Sequence, residues 1–305
     1  MDAEVDFRAV MQTIWKRKYL VLSIVGIFSA LGVIIALILP NVYAANALLA
    51  PNQTQTRSGL TGLLAENSAL ASFAGMDLPS AEVGKVDIAL EILQSRRFII
   101  EFIDRHNILV PLMAAQGWDP LSNTLEINND VYDSGSGTWT REVSPPQTPV
   151  PSDLEAYEAF REIFSVMEAD TVGFYRIQVE HYSPHVAKEW VDWLVEDINS
   201  TVKLGEIEQA ERAISYLNGQ LTKTAIGELR SVLFGLIEEQ MKVIALANAT
   251  PEYVFRAVDP ALVPEIPSRP NRVVLILIAV FFGLGIGFVT AVTLGYRESA
   301  IETNR

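Results

Sequence analysis

The sequence contains no cysteine and only three histidines. The absence of thiols excludes disulfide bonds, zinc–thiolate sites, iron–sulfur clusters and a cysteine nucleophile. Basic residues are also few, because 23 Lys and Arg stand against 37 Asp and Glu, and the net charge is −14. A nucleic-acid-binding protein needs a basic face that displaces counterions from phosphate, so this balance argues against nucleic acid as a partner.

The sequence also lacks the motifs of common catalytic sites. His181 and His185 have the i, i+4 spacing of a zinc-binding pair, but Pro184 interrupts the helix that such a pair needs, and no Glu follows His181. Ser183 has no Gly-x-Ser-x-Gly motif around it, and a helix N-cap explains it more simply. No P-loop sequence is present. The sequence therefore predicts no enzyme, no metal site and no cofactor.

Charged residues make up only 20% of the chain because two long runs contain none. Residues 20–39 and 273–294 are each long enough to cross about 30 Å of hydrocarbon as a helix. The first run could instead be a cleavable signal peptide, with Ala45-Asn46-Ala47 as its cleavage site. Its apolar stretch exceeds the roughly 7–15 residues of such a peptide, which favours a retained anchor.

Two spans divide the chain into five segments. We expect residues 1–19 and 295–305 in the cytoplasm, helices at 20–39 and 273–294 in a lipid bilayer, and a domain outside at 40–272. The orientation follows the positive-inside rule, since basic residues precede the first span at positions 8, 16, 17 and 18. Arg269 and Arg272 oppose this orientation, but the first helix usually dominates. Residues 42–271 carry 32 acidic and 16 basic side chains.

Small residues recur at every fourth position of the second span. Such a stripe lets two helix backbones approach closely, and we expect helix–helix packing within the chain or between copies. The first span offers two shorter pairs, Gly26 with Ala30 and Gly32 with Ala36. The members of the second-span stripe are Ala279, Gly283, Gly287, Ala291 and Gly295.

The outer region reads as a mixture of helices and strands. Strands are expected at 42–50, 164–168, 174–181 and 253–258, and helices at 81–93, 96–106 and 153–164. The first and last strands would bring the two ends of this region into one sheet beside the membrane. Residues 107–152 hold many Gly, Pro, Ser and Asp residues and are expected to be irregular. The predicted fold class is therefore α+β.

Residues 184–249 have a helical pattern throughout. Gly and Thr residues between 219 and 227 favour a hairpin of two helices, although one unbroken helix is also possible. Asp197 is expected on the polar face. The apolar stripe of the first half should pack within the hairpin or against another copy, which predicts self-association. Its members are Val186, Trp190, Leu194, Ile198 and Val202.

Several segments together resemble the Wzz-type chain-length determinants, the polysaccharide co-polymerases of the bacterial inner membrane. The most specific is a proline-rich segment before the second span, with prolines at Pro260, Pro264, Pro267 and Pro270. The others are Val5-Asp-Phe-Arg8, Trp15-Lys16, Tyr43-Ala-Ala-Asn-Ala-Leu-Leu-Ala-Pro51, Leu93-Gln-Ser-Arg-Arg-Phe98, Ile108-Leu-Val-Pro-Leu112 and Tyr253-Val-Phe-Arg-Ala-Val-Asp-Pro260.

The resemblance implies a base domain near the membrane, long projecting helices and a ring-like homo-oligomer. It also implies a role without catalysis: setting the modal length of a lipid-linked polysaccharide, typically lipopolysaccharide O-antigen, which a separate membrane polymerase makes. The growing glycan is a further possible partner, although the acidic outer region would repel an anionic one. The alternative function is a kinase-coupled adaptor or export subunit for capsule or exopolysaccharide.

Overall fold

The computed structural model describes residues 15, 17–52, 81–223 and 226–302. These residues form two compact units. The helical unit combines residues up to Val42 with residues from Ile266 onward, and the central domain comprises the chain from Tyr43 to Glu265. The architecture is mixed helix and sheet, which confirms the predicted α+β class.

The elements run in the following order. The chain contains helix α1 (Lys18–Ile38), strand β1 (Tyr43–Pro51), helices α2 (Ala81–Gln94), α3 (Arg96–His106) and α4 (Leu109–Met113), strands β2 (Ala115–Asp119), β3 (Thr124–Ile127), β4 (Tyr132–Asp133) and β5 (Thr138–Trp139), helix α5 (Asp153–Ile163), strands β6 (Phe164–Glu168) and β7 (Tyr175–His181), helices α6 (Pro184–Leu221) and α7 (Gly227–Ala249), strand β8 (Phe255–Asp259) and helix α8 (Arg272–Glu302).

Side-chain caps fix where three helices of the central domain begin. Ser95 accepts a hydrogen bond from the backbone N–H of Phe98 at the start of α3. Ser152 and Glu155 form a reciprocal capping box at the start of α5. Ser183 caps α6 and Pro184 occupies its first turn, where a missing N–H has no consequence. All three helix starts confirm predictions from the sequence.

The central sheet has four antiparallel strands in the order β6-β7-β1-β8. Strand β1 alternates so that Ala45, Ala47 and Leu49 are buried. Because β1 lies between β7 and β8, the sheet joins the beginning and the end of the central domain, as the sequence predicted. The chain therefore enters and leaves the domain on neighbouring strands.

The core of the central domain lies between this sheet and the first half of α6. Trp190, Leu194 and Ile198 are fully buried in one hydrophobic cluster with residues of β1 and β7, and Val202 is buried with them. Val186 is partly buried at the edge of the cluster. We predicted that this stripe packs within the hairpin or against another copy. The structure corrects this prediction, because the stripe packs against the apolar face of the sheet.

The long helical region is a hairpin in which the second half of α6 packs along α7. The sequence left open one helix or two, and α6 ends at Leu221 while α7 begins at Gly227. Ala210 and Ala247 are the buried side chains of this part of the hairpin. Small residues there allow the two helices to lie close together.

The prediction that residues 107–152 are irregular is wrong, because this segment contains α4 and two small hairpins, β2–β3 and β4–β5. Both hairpins use the same turn. The carboxylate of Asp119 accepts hydrogen bonds from Leu121 N and Ser122 Oγ, and that of Asp133 accepts from Gly135 N and Ser136 Oγ. These bonds lower the pKa of both carboxyl groups.

The sequence signal for these hairpins is a repeat, Asp-x-x-Ser-x-Thr, at residues 119–124 and 133–138. The fifth residue of each repeat has a left-handed backbone conformation, with φ of 51° at Asn123 and 69° at Gly137. Asn and Gly adopt that conformation most readily. The segment looked like a loop because each strand is too short to show an alternating pattern.

Candidate functional site: the paired apolar helices

Helices α1 and α8 pack against each other as an antiparallel pair. Gly32, near the end of α1, lies against Ala279 near the start of α8, and Val21, near the start of α1, lies against Gly287. An arginine bonds across the pair at each end. Arg17 Nη2 donates to Leu294 O at 3.3 Å, and Arg272 Nη2 donates to Asn41 Oδ1 at 3.0 Å.

The distance between these two ends matches a bilayer. Helix α8 rises by about 1.5 Å per residue, so the 22 steps from Arg272 to Leu294 extend roughly 33 Å. The hydrocarbon core of a membrane is about 30 Å thick. By length and composition, Lys18–Ile38 and Arg272–Leu294 are the two helices of the described chain that could cross a membrane.

The surface of the pair is suited to lipid contact. Only 11% of each candidate span is buried. Leu22 and Phe281 have exposed fractions of 73% and 74%, and other large apolar side chains of both helices are similarly exposed. An exposed apolar surface of this extent is unusual on a soluble protein and typical of a membrane-contacting one.

Glycines allow the two backbones to approach closely. A methyl group at Gly283 would lie 3.0 Å from Val25 Cα, and one at Gly287 would lie 3.1 Å from Val21 Cγ1. A methyl group at Gly32 would lie 2.5 Å from Ala279 Cβ. Part of the predicted second-span stripe therefore lies against α1 of the same chain.

The remaining small residues differ in their surroundings. Ala291 is fully buried, and Ala36 is buried near the other end of the pair. Gly26 and Ala30 lie on an exposed face of α1, and a methyl group at Gly26 would meet nothing within 4 Å. Gly295 lies in α8 beyond the part of that helix whose side chains the structure describes.

At the Asn41 end of the pair, a short bridge of backbone hydrogen bonds joins the segment that follows α1 to the segment that precedes α8. Val42 N donates to Arg269 O at 2.9 Å, and Ser268 N donates to Val42 O at 2.8 Å. The Ser268 hydroxyl donates to the same carbonyl oxygen at 3.0 Å. Pro267 and Pro270, two members of the proline-rich segment before the second span, flank this bridge. The bridge therefore connects the chain leaving α1 to the chain entering α8.

The start of α8 has a cap that the sequence analysis missed. Asn271 Oδ1 accepts a hydrogen bond from Val274 N at 3.2 Å. The sequence signal is an Asn that follows a proline and stands two residues before an apolar run. The other two prolines of that segment, Pro260 and Pro264, lie in the central domain, between the end of β8 and the end of the domain at Glu265.

His181 and Ser183, which were considered as parts of a zinc or catalytic site, make structural contacts instead. His181 is buried, its Nε2 lies 3.1 Å from Pro111 O, and its Nδ1 accepts a hydrogen bond from Ser183 N. Burial lowers the pKa of His181, so its neutral form is favoured. Within the described ranges, no group of three or more His, Cys, Asp and Glu side chains could hold a metal ion.

Asp197 is buried, which corrects the prediction that it faces away from the core. Its carboxylate lies 2.9 Å from Arg105 Nη1 and 3.0 Å from His106 Nε2. The His106 ring stacks on Trp193, with ring centroids 4.2 Å apart. Periodicity along α6 could not reveal this contact because both basic partners come from the end of α3.

Asn199 is a second buried polar residue that the sequence did not indicate. Its Oδ1 accepts hydrogen bonds from Val254 N at 2.8 Å and Phe255 N at 2.9 Å, and its Nδ2 donates to Phe255 O at 2.9 Å. The amide thus binds the start of β8 as a neighbouring strand would. It fixes where the last strand begins relative to α6.

The first part of this chain matches a known protein family. Residues 3–106 match the family model described as "Chain length determinant protein", Wzz. This match covers about a third of the chain. The resemblance seen in the sequence is thereby confirmed. The described part of this match includes α1, β1, α2 and α3, so it covers one helix of the apolar pair and one of the two central strands of the sheet.

Solved structures similar to this chain include two polysaccharide co-polymerases. One is described as a full-length bacterial polysaccharide co-polymerase, with 12% identity, 97% of this chain and 98% of that chain covered, and a TM-score of 0.40. The other is a fragment of WzzB from Salmonella Typhimurium, with 12% identity, 75% and 100% covered, and a TM-score of 0.28. No curated protein sequence matches the chain.

Proposed function

We propose that this protein sets the modal chain length of a lipid-linked surface polysaccharide of the O-antigen type. In this proposal it acts without catalysis, as a homo-oligomeric scaffold on a separate membrane polymerase. The observation that carries the proposal is the Wzz family match over residues 3–106. The paired apolar helices, which bound the central domain in sequence, support it as a second feature.

The proposed location is the bacterial inner membrane, with two spans, both termini in the cytoplasm and the central domain in the periplasm. The basic residues before α1 support this orientation. Arg17 and Lys18 stand at the end of the pair where α1 begins, and Arg17 bonds there to Leu294 of α8.

The α6–α7 hairpin supports self-association. Helix α7 carries large apolar residues that its pairing with α6 leaves exposed. Surfaces of this kind mark contacts between proteins. In a ring-like homo-oligomer, helices of neighbouring copies would bury these exposed side chains. They are Leu229, Val232, Phe234, Leu236 and Met241.

The charge of the outer region bears on how the polysaccharide is handled. Residues 42–271 have 32 acidic and 16 basic side chains, for a net charge of −16. A surface of this sign repels an anionic glycan over distances up to about one Debye length, or roughly 8 Å at physiological salt. We therefore propose that length is set through the polymerase, without tight binding of an anionic glycan to the outer face.

Deletion of the gene in its source bacterium tests the function. We expect the gel ladder of lipopolysaccharide to lose its modal band and to regain it when the wild-type chain is supplied from a plasmid. An unchanged lipopolysaccharide ladder with altered capsule or exopolysaccharide would favour the alternative, a kinase-coupled adaptor or export subunit. No change in any surface polysaccharide would refute a role in chain length.

A further inference from the structure

A cavity of about 340 Å³ lies at the Asn41 end of the apolar helix pair. Its walls include Asn41, Ser268, Pro270, Asn271, Arg272 and Val273. Among the described residues that line it, one carries a guanidinium, two carry amides and one carries a hydroxyl, while none carries a carboxylate. This lining contrasts with the strong acidic excess of the outer region.

The polar groups of the cavity are rich in hydrogen-bond donors. Arg272 carries five N–H groups, of which one donates to Asn41 Oδ1. The Asn41 side chain keeps an NH2 group with two further donors. The Asn271 oxygen is engaged by Val274 N, so the part of Asn271 that can serve a ligand is also its NH2 group. A ligand that suits these side chains is therefore an acceptor-rich anion, and phosphate is the common biological one.

The apolar surroundings indicate that such a phosphate belongs to a lipid. Val273 lines the cavity and is itself 66% exposed, and Leu277 continues this exposed apolar surface one turn further along α8. Arg272 marks one end of the roughly 33 Å apolar stretch of the pair. Cationic side chains at that depth meet lipid headgroups. A headgroup in the cavity would thus have its acyl chains beside an apolar helix surface.

We propose that this cavity binds the phosphate headgroup of an anionic membrane lipid, with Arg272 as the main charged contact and the Asn41 amide as a second donor. The proposal rests on the two-span placement proposed above and does not depend on the role in chain length. One exposed arginine is too weakly attractive to hold free phosphate in water. A lipid adds the apolar contact of its chains, so the source of the phosphate should be the bilayer.

Lipid retention by the full chain tests this proposal. The wild-type protein is placed in nanodiscs of equal parts phosphatidylglycerol and phosphatidylcholine, released into mild detergent, and analysed for bound lipid by native mass spectrometry. We expect phosphatidylglycerol to be retained over phosphatidylcholine. We expect Arg272→Gln to reduce this preference about tenfold, which corresponds to about 1.4 kcal/mol. Arg272→Lys keeps the charge and should preserve most of the preference.

Arg230→Gln is the matched control, because Arg230 is an exposed arginine of α7 in the central domain, outside the lining of the cavity. Equal lipid preference in wild type and Arg272→Gln would overturn the proposal, and so would an equal loss in Arg230→Gln. Displacement of the bound lipid by a large excess of inorganic phosphate would show that free phosphate is the ligand and would also overturn the proposal. Failure of the wild-type chain to enter nanodiscs would refute the two-span placement and this site together, leaving the polysaccharide ladder as a separate test of function.

Discussion

Replacement of single glycines by alanine tests whether glycines in the apolar pair are needed for close helix packing. It distinguishes this role from the general effect of glycine on helix stability. Gly32 and Gly283 lie at the contact between α1 and α8, where an added methyl group would stand 2.5 Å from Ala279 Cβ or 3.0 Å from Val25 Cα. Ordinary carbon–carbon contacts are about 3.5–4.0 Å. The helices must therefore move apart by roughly 0.5–1.5 Å at the substituted position.

The expected loss of stability follows from that separation. A gap of about 0.5–1 Å already removes a quarter to a half of each dispersion contact across the interface. Overpacking of a well-packed contact destabilises by about 1–3 kcal/mol. We expect Gly32→Ala to fall at the upper end of this range, because its new methyl group meets a Cβ and the nearby backbone of α8. Gly283→Ala should fall in the middle.

The same chain supplies matched controls. A methyl group at Gly26 in α1 or Gly285 in α8 would meet nothing within 4 Å. Gly26→Ala and Gly285→Ala should therefore leave the pair intact, with any change in the direction of greater helix stability, because Ala favours helix over Gly. Each control shares its helix with one of the test positions.

Fluorescence energy transfer between the two helices measures the effect. The chain has no cysteine, so dyes can be attached at cysteines introduced at the exposed Ser23 and Thr293. Titration with sodium dodecyl sulfate in detergent micelles then gives the midpoint at which the helices separate. We expect lower midpoints for Gly32→Ala and Gly283→Ala than for the two controls. Equal midpoints in all four variants would refute the packing argument.

Three further predictions concern the central domain of the full chain. Asn199→Leu leaves two backbone N–H groups and one carbonyl at the start of β8 without buried partners, and urea titration should show a loss of about 3 kcal/mol; a loss below 1 kcal/mol would contradict it. The pKa of His181 is lowered, so its neutral form contributes stability that is present above its unfolded pKa of about 6.5 and is lost as the pH falls through the lower folded pKa. The melting temperature should drop more between pH 7.5 and 5 in wild type than in His181→Gln, and parallel curves would refute this. Val232→Glu combined with Leu236→Glu, both exposed on α7, should reduce assembly in detergent, whereas Val172→Glu in an exposed turn should not; equal assembly of all variants would exclude the hairpin as an interface.

The features that the sequence predicted correctly depend on local signals. Ser95, Ser152 and Ser183 each precede a helix, and a side-chain hydrogen bond within three residues is enough to begin it. Strands β1, β6 and β7 were likewise predicted from the residues of their own short segments. The Wzz resemblance was also readable, because its segments occur in order along the chain.

The features that the sequence did not reveal depend on which surfaces meet after folding. Trp190 and its neighbours on α6 form a stripe that suits either a helix or a sheet as its partner, and only the fold shows that the sheet covers it. Asp197 and Asn199 look like solvent-facing residues until α3 and β8 supply their partners. Gly283 can face another copy or α1, and periodicity does not distinguish these cases.

The central claim is that this protein changes polysaccharide length without making the polymer. Its most direct test is the length distribution produced by the purified polymerase in proteoliposomes, with and without the full chain, at equal total sugar incorporation. The account predicts a broad distribution without the chain and a distinct modal length with it. The same distribution in both samples, or polymer synthesis by this chain in the absence of the polymerase, would contradict the claim.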